Sequence, residues 1–133
     1  MSSLILLVED NEANQMLASA VLELEGFEVQ VAGSAVEALD QITERMPDLI
    51  LMDVQLPGQD GLSLTRQLKN DPATAAIPIV ALTAHAMSGD RAIALGAGCA
   101  GYISKPIDTR TFGAQVRRYL GTEVQDDRPR VAS

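Results

Sequence analysis

The sequence predicts a doubly wound α/β domain, one parallel five-stranded sheet with helices packed on both faces. Three observations predict it. Apolar runs at residues 4–8, 49–52 and 77–82 lack alternation, as strands covered on both sides require. Segments with apolar residues at helical spacing separate these runs, and the short connections between them call for parallel pairing through right-handed crossovers. The length of 133 residues, 47% of them hydrophobic, suits a single core.

The first strand, LILLV, stops at two acids, Glu9 and Asp10. Over residues 12–25, Leu17, Val21 and Leu24 recur at helical spacing as an apolar stripe, and Gly26 stands where a C-terminal helix cap belongs. The run FEVQVA, residues 27–32, alternates like a strand with a more exposed edge. Ser34 followed by Glu37 forms a capping-box signature, and the helix it opens sets Ala35, Ala38, Leu39 and Ile42 on one face. Pro47 ends that segment ahead of the third strand, residues 49–52. The helix after Asp60 carries Leu64 and Leu68, and Asn70, Asp71 and Pro72 close it. Residues 77–82 form the fourth strand and residues 101–104 a short fifth, with an Ala- and Gly-rich helix around residues 90–95 between them. The last helix, residues 108–120, lines up Phe112, Val116, Tyr119 and Leu120 before Gly121. The domain is therefore expected to span residues 1–121, with the polar residues 122–133 a disordered tail.

Aromatics make up only 3% of the chain and tryptophan is absent, so the core is expected to come from Leu, Ile, Val, Ala and the five Met. The formal net charge of -8, with no basic cluster beyond scattered C-terminal arginines, argues against nucleic acid and against acidic membrane surfaces as partners. Cys99, alone in GAGCAGY, has neither a disulfide mate nor zinc-site neighbours and reads as a small buried hydrophobe. No apolar stretch reaches the roughly 18 residues of a membrane span, and the N-terminus lacks the basic start of a signal peptide. A cytoplasmic location is the expectation.

In such a sheet the ligand crevice lies beyond the carboxyl ends of the strands, where the strand order reverses. Those ends carry Glu9 and Asp10, then Asp53, then Thr83, then Lys105 followed by Pro106. Three converging carboxylates repel one another, and a hard divalent cation such as Mg²⁺ is the common answer. Lys105 neutralises part of the remaining charge. An aspartate beside Mg²⁺, an ammonium and a hydroxyl is equipped to attack phosphorus and form an aspartyl phosphate. Pro57, Gly58 and Gly61 supply the turn chemistry that lets the backbone bend past a metal after Asp53.

The motifs VED at 8–10, LMDVQLPGQDG at 51–61, ALTA at 81–84 and GYISKPID at 101–108 occur in one order. With them the chain resembles the receiver domains of two-component response regulators over residues 4–120, in the stand-alone, chemotaxis-regulator-like form. The resemblance implies a flavodoxin-like strand order 2-1-3-4-5. It implies Asp53 as phosphoacceptor, Mg²⁺ held by Glu9, Asp10, Asp53 and the backbone carbonyl of Gln55, and Thr83 and Lys105 on the phosphoryl group. By the same resemblance Tyr102 acts with Thr83 as the switch, the Lys105 to Pro106 bond is cis, and Gln55 and His85 tune the lifetime of the phosphate. The implied donor is a histidine kinase or a histidine phosphotransfer protein; TAHAM at 83–87 is more similar to receivers associated with hybrid kinases. The implied output is a protein target on the face of the fourth helix, fifth strand and fifth helix, with no catalysis beyond the domain's own phosphorylation and dephosphorylation.

Two other chemistries fit the fold less well. An aspartate-nucleophile phosphatase of the haloacid-dehalogenase type needs a second aspartate two residues after the first, where this chain has Gln55. A nucleotide or flavin module would show a glycine-rich phosphate loop after the first strand, where acids stand instead.

Overall fold

The structure is a computed structural model describing residues 3–56, 61–83 and 88–120, with residues 88–91 described by their backbone alone. The expected tail and the Pro57–Gly58 turn lie outside the described residues.

The apolar runs form β1 (Leu4–Val8), β2 (Glu28–Ala32), β3 (Leu49–Asp53), β4 (Ile79–Thr83) and β5 (Gly101–Ser104). Between and after them lie α1 (Glu12–Leu24), α2 (Ala35–Glu44), α3 (Gly61–Lys69), α4 (Ser88–Gly96) and α5 (Phe112–Leu120). The sheet is parallel throughout, in the order β2-β1-β3-β4-β5. The three unalternating strands, β1, β3 and β4, occupy its centre and are buried at every position. Because successive strand residues face opposite sides, the sheet divides the core in two. Leu6, Val8, Ile50, Met52 and Ile79 pack under α2, α3 and α4, while Ile5, Leu7, Leu51, Val80 and Leu82 pack under α1 and α5.

Helix starts and stops follow local chemistry. Asn11 caps α1 by accepting from the Asn14 N–H at 3.0 Å, and Gly26 takes a φ of +94° just beyond its end. The Ser34 hydroxyl accepts from the Glu37 N–H at 3.2 Å, while the Glu37 carboxylate reaches back to the Gly33 N–H at 2.7 Å. At α5 the expected start at residue 108 moves to Phe112, because Asp108 folds residues 108–111 into a turn. Its carboxylate accepts from the Arg110 N–H and its carbonyl from the Phe112 N–H, both at 3.0 Å. Strand β4 starts at Ile79 rather than residue 77, after Pro78, which has no N–H to give the ladder. Strands β3 and β4 each run one residue further than expected, so that Asp53 and Thr83 are themselves the last ladder residues.

The stripe of α1 is a correction. Ala18 and Leu22 are its buried residues and Val21 is partly covered, whereas Leu17 and Leu24 face water, Leu24 being 89% exposed. The helix lies close against β2 and α5, and that approach selects the line through the small Ala18 over the neighbouring line of larger residues. The expected role of methionine also narrows: among the described residues Met52 is core, while Met16 and Met46 are exposed. Cys99 is buried, as its surroundings in the sequence suggested. No helix among the described residues is long and apolar enough to cross a membrane.

Leu22→Ala is expected to lower unfolding free energy by about 2–5 kcal/mol. Leu24→Ala, two residues on, should stay within about 0.5 kcal/mol of the parent. Urea denaturation of both variants measures the contrast.

Candidate functional site

The central strands deliver their last residues to one edge of the sheet. Val8 lies opposite Met52, Asp53 opposite Leu82, and Thr83 opposite Ser104. Backbone bonds continue the ladders past these ends, from Glu9 N–H to the Ala32 carbonyl at 2.9 Å, Val54 to Leu82 at 3.2 Å and Lys105 to Thr83 at 2.7 Å. Glu9, Asp53, Thr83 and Lys105 therefore hang from sheet backbone.

Glu9 and Asp53 are buried, and Asp10 beside them is exposed. One carboxylate oxygen from each lies within 4.8 Å of the others. The Lys105 ammonium sits 2.9 Å from Glu9 Oε1 and 3.1 Å from Asp53 Oδ2, with its side chain 19% exposed. The remaining oxygens are also engaged: Glu9 Oε2 accepts from the Asn11 N–H at 3.2 Å and Asp53 Oδ1 from the Gln55 N–H at 2.9 Å. Burial pulls the Lys105 pKa down, but its hydrogen bonds to Glu9 and Asp53, together with their charges, outweigh that and hold it above the ordinary lysine value.

Three carboxylates against one ammonium leave the crevice with two negative charges. An all-oxygen, partly buried donor set with excess negative charge and one open side suits a hard divalent cation that keeps part of its water shell. The residues present therefore fit Mg²⁺.

Thr83 is buried at the end of β4 and lines a cavity of about 140 Å³ with Val54, Gln55, Leu62, Ala81 and Ala94. Tyr102 is half-buried on β5 opposite Ala81, packed against the core beneath. With Ser104, Pro106 and Tyr119 it lines a groove of about 460 Å³. The Lys105 to Pro106 peptide is cis. Of the residues named from sequence, Glu9 and Asp53 meet Lys105 directly, Asp10 brings a carboxylate oxygen within 4.8 Å of theirs, Gln55 contributes its N–H to Asp53, and Thr83 stands at the neighbouring strand end. His85 lies outside the described residues.

Two contacts escaped sequence reasoning. Gly61, read as a turn residue, begins α3 directly against the strand end that carries Asp53. A Cβ there would fall 2.0 Å from the Asp53 carbonyl oxygen, and the Gly61 N–H bonds to the Val54 carbonyl at 3.2 Å. Gln15, in the first turns of α1, donates from Nε2 to the Glu9 carbonyl at 2.6 Å. Its only sequence signal is its place one helical turn past Asn11, on the side that faces back toward β1.

Known proteins share this fold. The family model for the response regulator receiver domain matches residues 5–117. The polar-differentiation response regulator DivK of Brucella ovis is 45% identical over 121 residues, covering 91% of this chain and 98% of its own. A solved response regulator from Chloroflexus aurantiacus superposes with a TM-score of 0.87 at 32% identity, covering 91% of this chain and 99% of that one. The receiver domain of the sensor histidine kinase PA1611 from Pseudomonas aeruginosa has a TM-score of 0.82 at 36% identity, over 91% of this chain and 99% of its own, and its structure has a magnesium ion coordinated in the active-site cleft.

Gly61→Ala is expected to force α3 away from Asp53 and cost at least about 1–3 kcal/mol, read as a lower thermal midpoint. Lys105→Met strands two buried carboxylates without a cation and should lose about 3–5 kcal/mol at neutral pH. A raised folded-state pKa makes Lys105's contribution fully present below the ordinary lysine value of 10.5 and lost as pH climbs through the folded value. The stability gap between the parent and Lys105→Met should accordingly close in that alkaline range, as denaturation curves at stepped pH would record.

Proposed function

The chain belongs to the response regulator receiver domain family, and we propose that it is a phosphorylation-controlled signalling switch, with residues 1–121 as the receiver and 122–133 as a tail. The observation that carries this reading is the convergence of Glu9, Asp10, Asp53 and Lys105 in one crevice at the ends of separate strands.

In the proposed reaction an oxygen of Asp53 attacks the phosphorus of a phosphohistidine on a histidine kinase, including one of hybrid type, or on a phosphotransfer protein. The P–O bond to Asp53 forms as the P–N bond breaks, and the departing imidazole takes a proton from solvent. The Gln55 N–H and the Lys105 ammonium each hold one Asp53 oxygen, fixing the plane of the carboxylate before attack. Lys105 then follows the new negative charge onto the phosphoryl oxygens. Glu9, Asp10, Asp53 and the Gln55 carbonyl would hold Mg²⁺, which when bound offsets charge on the transferring group. The domain accelerates only this transfer and its own dephosphorylation, whose rate Gln55 and His85 adjust.

The new phosphate gives the Thr83 hydroxyl a new acceptor, and as Thr83 moves toward it Tyr102, which stands opposite Ala81 on the adjoining strand, turns inward. Tyr102 then leaves the surface of α4, β5 and α5, which changes the affinity of that face for a protein target. Coupling of about 1–3 kcal/mol, the usual scale for such switches, shifts partner affinity by roughly 5- to 150-fold. The proposed setting is the cytoplasm.

Asp53→Asn should abolish Mg²⁺-dependent labelling by a small phosphodonor such as acetyl phosphate, followed by intact-protein mass spectrometry. The parent should also show negligible turnover of p-nitrophenyl phosphate, because Gln55 stands where a hydrolase would place its general acid. Labelling that survives Asp53→Asn, or brisk ester hydrolysis by the parent, would defeat the proposal.

A further inference from the structure

The two acids that follow β1 differ in how they are held. Glu9 is fastened at its N–H by the Ala32 carbonyl at 2.9 Å and at its carboxylate by Lys105 and Asn11. Asp10 is exposed, and no strand partner among the described residues fixes it. Its side chain hangs from the peptide plane that joins it to Glu9, so the aim of its carboxylate depends on what holds that plane.

The Glu9 carbonyl is the oxygen of that peptide, and it accepts from Gln15 Nε2 at 2.6 Å. Gln15 is half-buried and anchored by its own N–H to the Asn11 carbonyl at 2.9 Å, the first full turn of α1. The Asn11 side chain in turn caps that turn through the Asn14 N–H. A rigid helix thus reaches back through one side-chain amide to lock the orientation of a peptide plane in the acid turn.

We propose that Gln15 is a positioning residue for the cation site, keeping the exposed Asp10 carboxylate converged with Glu9 and Asp53. The inference rests on the Mg²⁺ reading of the acid cluster. Without the amide donor, the Glu9–Asp10 peptide can rotate, Asp10 samples orientations away from the other two acids, and the entropy lost in bringing it back into place weakens cation binding. Outer contacts of this kind typically change metal affinity by about tenfold or more when removed.

Gln15→Met keeps length and bulk without the donor, and Gln15→Ala removes both. Mg²⁺ titration of each, followed by ¹⁵N–¹H spectra of the full chain, should give an affinity about tenfold below the parent in both variants. The Asp10 amide nitrogen, next in line after the Glu9 carbonyl, should shift in the metal-free variants while resonances of β3 and β4 stay in place, and thermal midpoints in EDTA should stay near the parent's. Parent-like Mg²⁺ affinity with an unmoved Asp10 resonance would overturn the assignment. So would affinity that falls only alongside a general change of the sheet resonances, since Gln15 would then be holding the fold. A parent that binds no Mg²⁺ at all would refute the cation site itself, separately from Gln15.

Discussion

Two buried carboxylates, Glu9 and Asp53, come from different strands and share one ammonium, that of Lys105. A buried carboxylate without a cation is costly, so neither acid is tolerable at its strand end unless the chain beyond β5 brings lysine to the same point. That requirement ties β1, β3 and β5 together across β4 at their carboxyl ends, above the apolar layers that join them lower down. Lys105 is itself held by its backbone bond to Thr83, so the electrostatic tie and the sheet ladder reinforce one another.

The same arrangement explains why the crevice is both stable and ready for chemistry. The ammonium cancels one charge of three, offsetting the burial of Glu9 and Asp53 while leaving the cluster of three acids in excess. The surplus is what suits the crevice to a hard divalent cation. Gly61 adds a steric condition, because α3 starts so near the Asp53 carbonyl that any side chain there would push the helix off the strand.

Much of this was legible in the chain. Unalternating runs marked the three central strands, and the acids at two of their ends, Glu9 and Asp10 after β1 and Asp53 on β3, marked the edge where the crevice lies. Capping residues marked the helix starts because their chemistry is local, as at Ser34 and Glu37. The side of α1 that packs was not legible: which of two adjacent lines meets the core depends on how closely β2 and α5 approach, and Ala18 carries no signal of that in sequence. Gln15 was missed for a related reason, since its bond to Glu9 spans a turn whose shape only the folded chain defines. Gly61 looked like a turn residue, and the demand for close approach to Asp53 became visible only in three dimensions.

The crevice draws on residues from position 9 to position 105, supplied by the carboxyl ends of β1, β3 and β5. No fragment of the chain, and no partly synthesised chain that has yet to reach β5, contains a working copy. The shared ammonium is therefore in place only when the residue after the last strand is. A half-built molecule instead carries two acids with no shared counter-charge, and its crevice stays open until the end of β5 arrives.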